Sequence, residues 1–173
     1  MHWGVGAEPP GRKALHMSPL TARNPHDKQS EVSEESGQVM PLLIEIDHVA
    51  IAVRDLGAAI DYYRETFGAV VEHREIVESD GVEEALLRVA ESYIQLLTPT
   101  SDDSPVAKSI EKRGEGLHHI GYRVSDCAAA LQSVKDHGGK VIDEEPRPGS
   151  RGTTVAFVHP KGAFGTLIEL VQE

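Results

Sequence analysis

The chain has 173 residues, of which 39% are hydrophobic, and its formal net charge at pH 7 is −11. That length suffices for one sizeable domain or for two small halves that share a core. The acidic balance argues against a nucleic-acid partner, because phosphate binding needs a basic surface, and no apolar stretch is long enough to predict a membrane span. The single cysteine, Cys127, excludes an internal disulfide and fits a reducing compartment. We find no pattern of a secretory signal and expect a cytoplasmic protein.

Residues 1–43 come before the first patterned segment. Their mixture of Pro, Gly, Ser and charged residues offers too little apolar surface to offset the entropy of ordering, which predicts a disordered extension. An overextended start upstream of Met40 would explain the same composition. The folded domain is therefore predicted over residues 44–173, as two modules at about 44–98 and 117–173.

The first module has the pattern of a β-α-β-β-β unit. Alternating β-branched residues at 44–53 indicate a strand. Asp55 offers an N-cap for the helix that follows, and Gly68 a natural end to that helix. Three more strands are predicted, at 69–76, 81–89 and 93–97. The last two are joined by a tight turn at 90–92.

The second module repeats this order after a linker at 98–116 that holds a short helix near 106–112. A strand is predicted at 117–124, and Asp126 caps a helix that Gly138 and Gly139 end. Cys127, in the first turn of that helix, is predicted to be an ordinary buried residue. Further strands are predicted at 140–143, 153–158 and 166–171, with a loop at 146–152. We expect an α+β fold with mostly antiparallel strands.

The two modules are related by an internal repeat of 71 positions (119 − 48 = 71). It pairs His48 with His119, and it continues without a gap through Asp55 and Asp126. Two copies are too few for a solenoid. We expect the modules to pack about a pseudo-twofold axis that brings the two histidines to equivalent places.

Four polar residues interrupt apolar strands at corresponding points of the two modules. They are His48, Gln95, His119 and Glu169. A polar side chain between large apolar neighbours is costly unless it has a partner. Two imidazoles, an amide and a carboxylate suit a divalent ion such as Co²⁺, Mn²⁺, Ni²⁺ or Zn²⁺, and the sequence does not choose among them. His118 is predicted to face away from this site, since side chains alternate along a strand.

Glu84 is a fifth candidate, and its orientation depends on a turn. If residues 90–91 form a two-residue hairpin loop, Gln95 pairs with Leu86 and Glu84 lies on the ligand side, while Glu83 points away. A three-residue loop would exchange the two glutamates. The alternative is that Glu84 is an exposed charge on a strand.

These features resemble the vicinal oxygen chelate superfamily, and residues 46–173 look like the methylmalonyl-CoA epimerases within it. The segments that carry the resemblance are IDHVAIAV, DGVEEALL, SYIQLLTP, GLHHIGYRV and GTLIELVQ. The resemblance implies that the four polar strand residues are metal ligands, and that Glu84 and Glu169 are catalytic bases. It also implies a homodimer. Co²⁺ is the ion we expect, with Mn²⁺, Ni²⁺ and Zn²⁺ as alternatives.

The activity that the resemblance implies is inversion of C2 of methylmalonyl-CoA by metal-assisted two-base proton transfer through an enolate. A metal that chelates both substrate oxygens would act as a Lewis acid. Two carboxylates on opposite sides of the carbon could serve as base and conjugate acid. Positive charge for such an anionic ligand is offered by two clusters of basic residues (Lys108, Lys112 and Arg113; Arg147 and Arg151).

Three other functions fit the same scaffold. A glyoxalase-like metal-dependent lyase or isomerase also uses a chelated enediolate. A metal-dependent dioxygenase has a site of two histidines and one carboxylate, in which Gln95 would be surplus. A metal-free small-molecule binding module predicts apolar or aromatic residues in place of the ligands, and only 5% of this chain is aromatic.

Overall fold

The computed structural model describes residues 41–173, and within them eight strands form one mixed sheet with three α-helices. The strands are β1 (Leu43–Ala52), β2 (Val71–Val77), β3 (Val82–Val89), β4 (Ser92–Pro99), β5 (Gly116–Val124), β6 (Arg147–Pro148), β7 (Thr154–Val158) and β8 (Ile168–Gln172). The helices are α1 (Leu56–Phe67), α2 (Pro105–Arg113) and α3 (Cys127–Asp136). None of the helices in the described residues has the length and apolar character needed to cross a bilayer. The predicted extension falls, up to residue 40, outside the described residues.

The order of the strands in the sheet, β2-β3-β4-β1-β5-β8-β7-β6, shows how the two modules are joined. The first strands of the modules, β1 and β5, pair antiparallel at the centre. Each also pairs in parallel with the last strand of its own module, β1 with β4 and β5 with β8. The order is therefore the same when read outward from the centre in either direction. This confirms the predicted α+β fold of two repeated modules.

Local sequence chemistry explains where α1 and α3 begin. The side chain of Asp55 accepts the N–H of Ala58 at 2.9 Å, and that of Asp126 accepts the N–H of Ala129 at the same distance. Each bond satisfies a backbone donor that the first helical turn leaves without a partner. Gly68 ends α1 in the left-handed conformation, with φ of 69°. The predicted caps are confirmed in both modules.

Helices α1 and α3 cover the sheet face opposite the polar residues, whereas α2 packs on the polar face against Ala50 and Leu97. In the first module α1 packs on β3 and β4 over Leu96, and in the second α3 packs on β7 and β8 over Leu170. Burying one such leucine contributes about 1.5–3 kcal/mol. Because neighbouring residues of a strand face opposite sides, Gln95 and Glu169 lie on the other face.

The predicted strand at 140–143 is wrong. Val141 forms only an isolated bridge with Val158, and the strand of this part of the module is Arg147–Pro148, inside the predicted loop. The Asp143 carboxylate accepts the N–H of Phe157 at 2.7 Å. A side-chain acceptor thus takes the place of a strand carbonyl, which ends regular pairing there.

Candidate active site

The polar residues singled out in the sequence lie on five adjacent strands of the sheet. In sheet order they are Glu84 on β3, Gln95 on β4, His48 on β1, His119 on β5 and Glu169 on β8. All of them are buried. All except His48 line one cavity of about 190 Å³. The sheet therefore gathers residues from both modules around a single space.

Three of these side chains converge on one point. The Nε2 atoms of His48 and His119 lie 3.0 Å apart. Glu169 Oε2 lies 3.0 Å from the first nitrogen and 2.9 Å from the second. Two imidazole nitrogens and one carboxylate oxygen at mutual distances near 3 Å form a donor set that fits a divalent ion.

Gln95 offers a fourth donor. Its Nε2 donates a hydrogen bond to Glu84 Oε2 at 2.6 Å. Its Oε1 is buried and accepts no hydrogen bond from any residue between 41 and 173. Leaving a buried acceptor without a partner costs about 1–3 kcal/mol. A cation held among these side chains would satisfy that oxygen, so the residues fit a metal ion.

The charges at this point favour a cation. Burial raises the pKa of Glu169, but hydrogen bonds from His119 and His48 outweigh it and hold that pKa well below its usual range. Burial lowers the pKa of His48, while Asp47 and Glu169 raise it to about 9. Burial lowers the pKa of His119 against the opposing effect of Glu169, and the neighbouring His48 adds to the lowering. The site therefore stabilises an ionised carboxylate together with positive charge.

Asp47 supports His48 from behind the site, although it is not among the residues predicted from the sequence. Its carboxylate is fully buried and accepts the Nδ1–H of His48 at 2.8 Å. It also accepts hydrogen bonds from Arg123 at 2.9 Å and from Arg151 at 2.7 Å. Burial raises its pKa, yet His48 and the two arginines lower it to about 2. An acidic residue next to a strand histidine was the available signal, because such a contact turns the other ring nitrogen toward a metal.

His118 does not face away from the site, and that prediction is wrong. Its Nδ1 lies 2.8 Å from Nδ1 of His119, and its ring lines the cavity. The pairing of β1 with β5 shifts between Ala50 and Ile51, which leaves His118 as an extra residue in a β-bulge. Burial and the charges of His119 and Arg113 lower its pKa to about 4. Strand alternation fails at a bulge, which the sequence pattern does not reveal.

Gly121 makes room for the histidine of the other module. It pairs with His48 on one side and with Glu169 on the other. A Cβ at this position would lie 2.3 Å from the nearest ring atom of His48. Its repeat partner, Ala50, lies beside His119. The signal in the sequence was a very small residue two positions after each repeated histidine.

The position of Glu84 follows from the predicted hairpin. Val89 pairs with Ser92 and Leu86 with Gln95, so the loop has two residues and the predicted pairing is confirmed. Glu84 is only 2% exposed. Glu83, on the opposite face, binds Arg74 at 2.8 Å.

Two hydrogen bonds hold the Glu84 carboxylate. Gln95 donates to Oε2, and the hydroxyl of Ser150 donates to Oε1. Burial raises the pKa of Glu84, and the charges of Glu75 and Glu169 add to this, against the effect of the two hydrogen bonds. Ser150 lies in a Pro/Gly-rich loop, and its residue type carried no signal. The catalytic role of Glu84 stays a prediction.

The basic residues near the cavity are engaged with carboxylates. Arg147 lines the cavity and binds Asp80 at 2.8 Å and Asp143 at 3.3 Å. Arg151 binds Asp47, the buried partner of His48. Of these two predicted anion-binding arginines, Arg147 is therefore the one that lines the cavity.

Comparison with known proteins agrees with this fold. Residues 47–157 match the model of the Glyoxalase/Bleomycin resistance protein/Dioxygenase superfamily. The chain belongs to this superfamily.

Several proteins that are similar to this chain are methylmalonyl-CoA epimerases. The ethylmalonyl-CoA/methylmalonyl-CoA epimerase of Cereibacter sphaeroides is 41% identical over 129 residues, which is 73% of this chain and 96% of the relative. A solved methylmalonyl-CoA epimerase in complex with methylmalonyl-CoA and NH4+ is 44% identical, with a TM-score of 0.73 over 76% of this chain and 95% of the other. A variant of the Streptomyces coelicolor methylmalonyl-CoA epimerase in complex with 2-nitronate-propionyl-CoA is 43% identical, with a TM-score of 0.74 over 76% and 98%. The predicted resemblance to the methylmalonyl-CoA epimerases is confirmed.

Proposed function

We propose that the protein is an isomerase that interconverts (2R)- and (2S)-methylmalonyl-CoA by moving the proton at C2. The observation that carries this proposal is a pair of buried carboxylates, Glu84 and Glu169, that line one cavity beside a metal-type donor set. The similarity to epimerases bound to methylmalonyl-CoA and to a substrate analogue supports the choice of substrate.

The chemistry needs a base and an acid on opposite sides of one carbon. The C2 proton lies between a thioester and a carboxylate, and its removal leaves negative charge that spreads onto the thioester oxygen as an enolate. Glu84 and Glu169 would exchange the roles of base and conjugate acid between the two directions, each contributing roughly 10²–10⁴-fold. Hydrogen bonds from Gln95 and Ser150 support the role of Glu84, because they keep its carboxylate in one place.

We further propose that His48, Gln95, His119 and Glu169 hold a divalent ion, with Co²⁺ as the expected metal and Mn²⁺, Ni²⁺ and Zn²⁺ as alternatives. When bound, the ion would supply Lewis-acid stabilisation of the negative charge, worth several kcal/mol. The convergence of three donor atoms and the buried Gln95 Oε1 support this set. Asp47 would keep Nε2 of His48 directed at the ion.

We also propose that the protein is a homodimer, that it is located in the cytoplasm and that residues 44–173 form one folded domain. The resemblance supports the dimer, and the single cysteine supports a reducing compartment. Light scattering of the purified chain tests the oligomeric state.

The decisive experiment follows the C2 hydrogen. The protein is incubated with Co²⁺ and one enantiomer of methylmalonyl-CoA in D₂O, and the substrate is analysed by mass spectrometry and for optical purity. We expect deuterium at C2 together with loss of optical purity. No exchange with any of the four ions would refute the proposal, and turnover of a glutathione hemithioacetal instead would favour a glyoxalase-like activity.

A further inference from the structure

The proposed base Glu84 is buried in the wall of the cavity that the substrate would occupy. It is 2% exposed. This inference rests on the proposed function, in which each turnover of one enantiomer leaves the substrate proton on one of the two carboxylates. That carboxylate must lose the proton before a second molecule of the same enantiomer can react. A buried Glu84 therefore needs a path for its proton.

A chain of polar side chains leads from Glu84 to the surface. The hydroxyl of Ser150 donates a hydrogen bond to Glu84 and lies near enough to Glu75 to lower the pKa of that carboxyl. Glu75 Oε1 lies 3.0 Å from His73 Nε2. One side-chain atom from each of Glu84, Glu75 and His73 lies within 4.8 Å of the others. The outer two side chains, His73 and Glu75, are 35% and 34% exposed.

The loop that carries Ser150 is fixed on two sides. The N–H of Arg151 binds Glu75 at 2.9 Å, and its guanidinium binds the buried Asp47 at 2.7 Å. Arg151 has a φ of 56°, in the left-handed region that residues other than glycine seldom adopt. Such a conformation persists only where surrounding contacts enforce it. The hydroxyl of Ser150 is thus held against the Glu84 carboxylate, and Glu75 is bound by the N–H of the next residue.

We propose that Ser150, Glu75 and His73 form a proton route between Glu84 and solvent. Protonated Glu84 gives its proton to Oγ of Ser150 as the hydroxyl proton of Ser150 passes to the Glu75 carboxylate. Glu75 then gives a proton to Nε2 of His73, and the imidazolium releases one to water. Each step breaks one O–H or N–H bond and forms another, and the reverse sequence protonates Glu84. Histidine is the side chain best suited to shuttle protons near neutral pH.

The test is His73→Gln, assayed with the Co²⁺-loaded protein in dilute buffer. Loss of the route slows only the return of the free enzyme to its starting protonation state. We therefore expect kcat at saturating substrate to fall about tenfold while kcat/KM stays within about twofold. Added imidazole should restore kcat, because a small base can replace the missing side chain.

Two further variants provide a second test of the proton route and a control. Glu75→Gln keeps an oxygen for the Arg151 N–H but cannot carry a proton, and it should show the same selective loss of kcat. His137→Gln changes an exposed histidine at the end of α3 and should have no effect. Melting temperatures of all three variants report whether the fold is intact.

Three results would overturn the proton route. In the first, kcat of His73→Gln equals that of the wild type, which still exchanges C2. In the second, kcat and kcat/KM fall together without rescue, as expected of a structural role. In the third, the wild type binds two metal ions per chain and His73→Gln binds one, because a metal would then occupy the route. A wild type that exchanges no C2 hydrogen refutes the proposed function itself, so the two failures are distinguishable.

Discussion

Each imidazole of the candidate metal site is oriented by a contact at its second ring nitrogen. Asp47 binds Nδ1 of His48, and His118 lies against Nδ1 of His119. Both rings thereby present Nε2 to Glu169. The two modules reach the same result by different means, one with a carboxylate and one with a bulged histidine.

The first prediction concerns Asp47→Asn. An amide binds the Nδ1–H of His48 less strongly and can also favour the wrong ring orientation, so we expect a 10–100-fold loss of metal affinity. Calorimetric titration with Co²⁺ measures the metal affinity of each variant. Glu45→Gln is the matched control, because Glu45 also binds Arg123, at 2.7 Å, but does not contact His48. Equal affinities of the two variants would show that Asp47 has no part in orienting the ligand.

The second prediction separates two neighbouring glutamates. Glu84→Gln should keep the bound metal and the fold but lose roughly 10²–10⁴-fold in proton exchange from at least one enantiomer. Glu83→Gln removes only a partly exposed ion pair with Arg74 and should leave activity unchanged. The two variants are compared by isotope exchange at C2, which is measured for each enantiomer separately. Full activity of Glu84→Gln toward both enantiomers would exclude the two-base assignment.

At the scale of strands, the sheet gives each histidine space by placing the smallest residues opposite it. Gly121→Ala would push a methyl group into the ring of His48. We expect a loss of about 1–3 kcal/mol in stability together with weaker metal binding, since the ring must leave its position. Denaturant unfolding and Co²⁺ titration measure the two effects.

Gly57→Ala is the control for this substitution. Its Cβ would meet only the side chain of Asp55, at an ordinary 3.4 Å, and alanine favours the helix. It should leave metal affinity unchanged and stability equal or higher. If Gly121→Ala also left metal affinity and stability unchanged, the close fit between β1 and β5 would not be needed to position His48.

Much of the fold and of the candidate site could be predicted from the sequence because it depends on local patterns. Strand alternation predicted the faces of Gln95 and Glu169, and the two aspartate caps predicted where α1 and α3 begin. Among the missed features, Asp47 had a local signal beside His48, whereas the positions of His118 and Ser150 depend on partners distant in the chain. His118 faces the cavity because β5 carries a bulge opposite β1. Ser150 reaches Glu84 across 66 positions of sequence.

At the scale of the whole molecule, the candidate metal would join the two modules. His48 and Gln95 come from the first module, and His119 and Glu169 come from the second. A ligand that binds only the folded state stabilises it by about 2.7 kcal/mol at a free concentration of 100 Kd. A metal bridging both modules should therefore act on the unfolding of the entire domain.

The corresponding prediction is a change in melting temperature on metal removal. Treatment with a chelator should lower the Tm of the wild type, and Co²⁺ should restore it. His119→Ala should show no such response, since it lacks one of the converging donors. A wild-type Tm that does not change with chelator or Co²⁺ would contradict binding at this site.

The proposed function depends most on one cation being held by side chains from both halves of the chain. Anomalous X-ray scattering from crystals grown with Co²⁺ tests this directly. We predict one cobalt peak per chain, bound by Nε2 of His48, Nε2 of His119, Oε1 of Gln95 and a carboxylate oxygen of Glu169. Cobalt bound elsewhere, or no cobalt among these four side chains, would contradict the proposed metal site.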